Sequence, residues 1–206
     1  MFYIEHMDKN HKLLFHGAKS RIEGKLDIHK SRTNNDLGQG FYTGERYEQA
    51  ISFISGFEKS SVYIFDFKEE GLKGKKYNVN QEWMMTIAYY RGVLEEYENH
   101  PIIKKLIEKS CDCDYIIAPI ADNRMFQIIN SFIMGEITDE QCKHCLAATN
   151  LGYQYVFKSD KAIKSLKMLE RCYISEKEKE YYKKMRNSDA KLGDDKVKLA
   201  RIKYRG

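Results

Sequence analysis

Three stretches carry residue types that bind ligands or do chemistry. His16 and Gly17 end the apolar run LLFHG, Gly38, Gly40 and Gly44 surround Phe41 and Tyr42 in LGQGFYTG, and Gln154 lies among aromatics in GYQYVF. A histidine at a strand end offers an imidazole that can donate, accept or take up a proton near neutral pH, although such rings are more often satisfied by backbone. Glycines beside aromatics permit close backbone approach or positive φ, so GQGFY reads as a place where a ligand can lie against main chain, or as a tight turn.

Acidic candidates lie elsewhere. Glu82 in NVNQEWM opens a helix, where the helix dipole also favours it, and Asp122 in IIAPIAD is equally a good N-cap. Arg32 and Asp36, in KSRTNNDLGQG, precede the glycines and either reach a ligand or pair with each other in a loop. The cysteines are Cys111, Cys113, Cys142, Cys145 and Cys172. An odd number argues for free thiols over a disulfide framework. The C-x-x-C pair at 142 and 145 reads as part of a capped helix, whereas zinc pairs of this spacing favour tight turns, so no metal is expected.

The elements that must position these residues follow from periodicity. KLLFHG, SSVYIFDF, KKYNV, DYIIAPIAD and GYQYVFKS read as strands, rich in β-branched and aromatic residues. ERYEQAISFISGF reads as an amphipathic helix. Trp83, Ile87, Tyr90, Leu94 and Tyr97, spaced by three and four, predict one helix running from Asn80 through Glu98. Further helices are predicted from Pro101, from Asp122 as a cap, from the Thr138/Gln141 capping box, and over SDKAIKSLKMLE from Ser159. Strands at both ends with helices between predict an α+β domain over 1–174, with a mainly helical insertion at 80–150.

The 206 residues carry a net charge of +5 that is unevenly spread. Residues 175–206 hold 11 Lys/Arg against 6 Asp/Glu, leaving 24 of each sign before them. This basic tail starts with a capping box, Ser175 and Glu178, and reads as an exposed helix fraying into a flexible end: a solvated face, or an arm for nucleic acid or an acidic partner. No apolar run is long enough to cross a bilayer, and MFYIEHMDKNHK lacks the features of an export signal, which together predict a cytoplasmic protein.

LLFHGA, then LGQGFYTG with its helix, then VYIFDF and LKGKKYNV resemble the front half of the diphtheria-toxin and poly(ADP-ribose) polymerase type of ADP-ribosyltransferase. That family begins its site with a strand ending His-Gly, continues with G-x-G-aromatic-Tyr, and uses a glutamate on a late strand. GYQYVFKSDKAIKSLKML resembles the last segment and places Gln154 where glutamate is expected. The likeness covers 13–79 and 151–169, roughly two-fifths of the chain. It also extends to a group of bacterial proteins of this shape.

The resemblance implies a split β-sheet core binding NAD as substrate. It implies that the Gly17 backbone holds the nicotinamide carboxamide, that Tyr42 stacks on the nicotinamide, and that His16 bonds the adenosine-side ribose. Gly38, Gly40 and Phe41 would shape the cofactor site, with Arg32 and Asp36 near the adenosine or phosphates. Gln154 keeps a hydrogen bond to ribose but lacks glutamate's charge, so Glu82 or Asp122 is a candidate to restore it. The implied activity is mono-ADP-ribosylation of a protein or nucleic-acid acceptor, as a toxin with a small neutralising antitoxin as candidate partner. The alternatives are an NAD or ADP-ribose binding module without turnover, and a nucleic-acid binder using the tail.

Overall fold

The computed structural model describes residues 11–147 and 152–203. Residues 1–10, read for an export signal, the end of the 80–150 stretch and the last three residues of the tail lie outside them. The chain forms one α+β fold on a seven-stranded sheet. Its strands are β1 (His11–Ala18), β2 (Phe41–Gly44), β3 (Ser61–Lys68), β4 (Gly74–Lys76), β5 (Tyr115–Pro119), β6 (Tyr153–Phe157) and β7 (Leu166–Tyr173). Their order is β4-β5-β6-β2-β1-β3-β7, with β4 and β5 parallel and the other neighbours antiparallel. β5, from within the 80–150 stretch, pairs with β6 along its whole length, so that stretch is woven into the sheet.

The helices are α1 (Tyr47–Ile54), α2 (Gln81–Tyr90), α3 (Pro101–Cys111), α4 (Asn123–Ile133), α5 (Asp139–Ala147), α6 (Asp160–Lys164) and α7 (Glu176–Lys203). Several begin where their caps predict. Asn80 accepts from the Trp83 N–H, Pro101 fills the first turn of α3, and Asp122 accepts from the N–H groups of Arg124 and Met125. Thr138 and Gln141 close a reciprocal capping box on α5, and Ser175 with Glu178 another on α7. No helix among the described residues is long and apolar enough to cross a membrane.

Three predictions of extent are corrected. The helix from Asn80 stops at Tyr90 instead of running to Glu98, because Gly92 takes φ +86 and closes a Schellman motif: its N–H donates to Tyr89, and the Val93 N–H to Ala88. Leu94 is still buried, but Tyr97 turns out to solvent. The helix predicted over SDKAIKSLKMLE ends at Lys164, and Leu166 onward is strand β7, because the open edge of β3 supplies a ladder that local helix propensity does not outweigh. The strand expected at KKYNV is displaced to Gly74–Lys76.

The two faces of the sheet have different cores. One carries aromatics: Tyr63, Phe65 and Phe67 of β3 meet Tyr115, Tyr155 and Phe157, with Phe67 edge-on to Phe157 at 5.0 Å. Residues 22–28 and α6 cover it, through Ile22, Leu26, Ile28, Ala162 and Ile163. The other face takes the helices: Trp83, Met84 and Ile87 of α2 pack with Ile128 and Ile129 of α4 and with Cys142 and Cys145 of α5. Beside them α1 buries Ile51 and Ile54 against Val62. Both α5 cysteines are therefore core thiols, and burial pushes Cys142 up to about 12.

Candidate functional site

β1 is zipped to β3 over eight residue pairs but meets β2 in register at one, Phe15 with Gly44. Past that pair the strands part, and a side chain bridges them: His16 Nδ1 lies 2.6 Å from the Tyr42 carbonyl oxygen. A carbonyl only accepts, so Nδ1 carries the proton and Nε2 keeps its lone pair. Burial holds the His16 pKa below 6.5, and the bond to Tyr42 only partly offsets it. The imidazole is accordingly neutral at physiological pH. It stacks on Phe41 with ring centroids 4.4 Å apart, on the aromatic face of the sheet, yet the residue is only half-buried.

Side chains alternate along β2, so Tyr42 points the other way, into the helical face. Its hydroxyl donates to the Gly38 carbonyl at 2.6 Å and accepts from the Leu37 N–H at 3.2 Å, and burial raises its pKa far above the ordinary tyrosine value. Gln154 shares this face: β6 is the direct neighbour of β2, with Gln154 opposite Gly44. The structure thus gathers Tyr42 and Gln154 on one face and puts the His16 ring on the other.

Beside Tyr42 and Gln154 lies a group of polar side chains centred on Asp36. Arg91, at the end of α2, donates to Asp36 Oδ1 from Nε at 2.7 Å and from Nη2 at 2.5 Å. The same guanidinium reaches the Ala121 carbonyl at 3.1 Å and Asn123 Oδ1 at 3.3 Å, and lies over the Phe126 ring. The side chains of Arg91 and Asp36 keep only 19% and 15% of their surface. Burial raises the Asp36 pKa; Arg91, the Gln154 amide and the Ala121 N–H act against that shift by stabilising the carboxylate. Gln154 Nε2 also donates to the Pro119 carbonyl at 3.3 Å.

The glycines have reasons within the protein. A Cβ on Gly17 would stand 2.4 Å from the Ala50 carbonyl oxygen of α1, and one on Gly40 would stand 2.7 Å from the Phe157 oxygen. Gly38 has φ +75 and lies against the Tyr90 ring. The space expected for a ligand at these three positions is filled by α1, β6 and Tyr90. The loop is also stapled: Lys158 Nζ donates to the Leu37 and Gln39 carbonyls at 2.8 and 2.7 Å, and Ser31 Oγ accepts from the Gly40 N–H.

The remaining candidates stand apart. Arg32 is exposed, and its carbonyl accepts from Asn35. Glu82 pairs with Lys75 at 2.8 Å and Lys109 at 3.9 Å near the β4 edge, so nearby cations already balance its charge. Asp122 caps α4 and holds Arg124 at 2.6 Å. Among the described residues no three His, Cys, Asp or Glu side chains are grouped to hold a metal. An open cavity of about 470 Å³ lies between α2 and α3, lined by Tyr89, Glu98, Lys104, Ile107 and Cys111, and no sequence-predicted site residue borders it.

Arg91 and Lys158 were not among the sequence candidates. An arginine followed by glycine at a helix end marks a C-cap, and a lysine after a strand marks its exit; neither pattern points to a partner more than fifty residues away. A family model described as Protein of unknown function (DUF3990) matches residues 13–168, which takes in β1 through α6 and the first residues of β7. No curated protein and no solved structure matches the chain.

Proposed function

We propose that this chain, which belongs to the family described as Protein of unknown function (DUF3990), is an NAD-dependent mono-ADP-ribosyltransferase with a macromolecular acceptor. The observation that carries the reading is the parting of β1 from β2 after Phe15–Gly44, where the His16 imidazole bridges to the Tyr42 carbonyl. On this reading β4-β5-β6-β2 and β1-β3-β7 are the halves of a split core. The adjacency of β1, β2 and β6 supports it, since these strands carry the three segments that resemble the transferases.

The reaction breaks the C1′–N bond between ribose and nicotinamide. The bonding electron pair leaves with the ring nitrogen, neutralising the pyridinium, and positive charge grows on the ribose as in glycoside cleavage. A nucleophilic atom of the acceptor then bonds C1′ and gives up its proton to solvent. With Nδ1–H fixed on Tyr42, His16 offers Nε2 as an acceptor for a ribose hydroxyl. Gln154 contributes a hydrogen bond without charge, which suits single transfer over chain elongation.

A second reading, retention of NAD or ADP-ribose without cleavage, is favoured by the opposite directions of the His16 and Tyr42 side chains. Nicotinamide release by the full chain, with cell extract as acceptor source, separates the two, alongside NAD binding by calorimetry. Release that disappears in His16→Ala and Gln154→Ala supports the transferase. Binding without release supports the second reading, and absence of both refutes each.

A further inference from the structure

Resting on the transferase reading for the acceptor role, we propose that the end of β1-β3-β7 nearest His16 docks single-stranded nucleic acid, with bases stacked on Tyr173 and Phe53, and that this strand is the acceptor. Strand register puts the surface beside His16. His16 is the ladder partner of Tyr63, and Tyr63 of Arg171, so the three lie in one row across the sheet on its aromatic face. Neighbouring strands lie about 4.8 Å apart, which sets the Arg171 backbone about 10 Å from that of His16. Two residues further along, Ala18, Ser61 and Tyr173 form the last row of the sheet.

Exposed rings and cations meet on this end from both sides. Tyr173 is 75% exposed, yet its place is fixed. Arg171 donates to the Tyr173 hydroxyl from Nη1 and to Ser61 Oγ from Nε, both at 3.0 Å, with its guanidinium 4.5 Å from the Tyr173 ring centre. On the α1 side of the same end, Lys19 Nζ lies 4.4 Å from the Phe57 ring centre and 5.7 Å from that of Phe53, and both rings are exposed. Among the described residues no carboxylate pairs with Arg171 or Lys19. Phosphates take such cations and bases take such rings, the combination that single-strand binders use. An acidic peptide would leave three rings bare, and an apolar partner would bury two cations unpaired. The basic tail also begins here: the chain passes from Tyr173 through Ile174 into α7, whose Lys179 donates to the Glu58 carbonyl next to Phe57. The segment 175–206, with 11 Lys/Arg against 6 Asp/Glu, is therefore anchored where the rings are and draws polyanions toward them.

The bound strand supplies the nucleophilic atom that bonds C1′, and the proton of that atom goes to solvent. Stacking and phosphate contacts do not depend on the sugar, so RNA and DNA strands bind alike, whereas a duplex keeps its bases stacked inside and binds more weakly. Fluorescence anisotropy with labelled RNA and DNA oligonucleotides of about 12 nucleotides tests this on the full chain. Tyr173→Ala and Phe53→Ala are each expected to weaken binding about tenfold. Tyr97→Ala, which removes an exposed tyrosine between α2 and α3, leaves it unchanged. Arg171→Gln and Lys19→Gln each lower the slope of log affinity against log salt by about 0.7. Thermal melting accompanies every variant; Phe53 is exposed on α1, so Phe53→Ala gives the stacking readout with the sheet untouched. With NAD supplied, the bound oligonucleotide gains the mass of ADP-ribose as nicotinamide is released.

Wild-type protein that binds neither strand, or folded Tyr173→Ala and Phe53→Ala that bind as tightly as wild type, overturns the docking surface. Nicotinamide release with the bound oligonucleotide left unmodified overturns its acceptor role and leaves the transferase reading intact. If no acceptor elicits release, the transferase reading falls and the acceptor role with it, and the anisotropy alone then decides the docking surface.

Discussion

Removing Arg91 is the sharpest test of how the polar group is held. In Arg91→Met the apolar stem still covers Phe126, but Asp36 loses both bonds at Oδ1 and the cation paired with it. Breaking a buried pair from one side costs about 3–5 kcal/mol, and the residual exposure of 15–19% puts this one near 3. With a urea slope of about 2 kcal/mol/M, the unfolding midpoint falls by about 1.5 M. The loss depends on pH with a definite sign. Burial already raises the folded-state pKa of Asp36 above 3.8, and without Arg91 it rises further. The native state then binds more protons than the unfolded chain, so stability is full below the unfolded pKa and falls as pH climbs through the raised one. Urea titrations of both proteins at about pH 4.5 and about pH 7.5 measure this: the deficit of Arg91→Met is expected to be clearly larger at the higher pH. A deficit below about 1 kcal/mol, or one equal at both values, would refute a buried carboxylate dependent on Arg91.

Two further outcomes follow from the strands around the opening. Gly17→Ala must push against the Ala50 carbonyl at 2.4 Å and Ile54 Cγ2 at 2.9 Å, so α1 has to move, and a loss of about 1–3 kcal/mol in chemical denaturation is expected; unchanged stability would show that α1 yields freely. His16 has a folded pKa below 6.5, so the native state binds fewer protons than the unfolded chain in that window and loses stability as pH falls through it. His16→Phe, which keeps a ring on Phe41, is expected to flatten that part of the stability–pH curve between about pH 7.5 and about pH 5. An equally steep decline in the variant would assign the acid sensitivity to other groups.

Much of the fold is legible from short-range signals. Asn80, Asp122, Thr138 and Ser159 cap the helices they precede, and the aromatic and β-branched runs become β1, β3, β5 and β6. LKMLE was not legible in this way: it reads as the end of the helix from Ser159, and pairing with the β3 edge makes it the start of a strand. The long stripe from Trp83 to Tyr97 also misled, because a glycine at 92 outweighs a pattern that continues past it.

For the candidate site, sequence determined the inventory: a histidine and glycine ending one strand, glycines around Phe41 and Tyr42, and an amide on a late aromatic strand. These are local properties, readable because residue type and neighbours fix them. Tertiary structure decided which of them meet. The β2–β6 pairing sets Gln154 opposite Gly44, the pleat sends Tyr42 and His16 to opposite faces, and the end of α2 brings Arg91 to Asp36 across 55 positions. No local pattern encodes such a contact, because a buried ion pair between distant segments depends on where the sheet and helices carry their side chains.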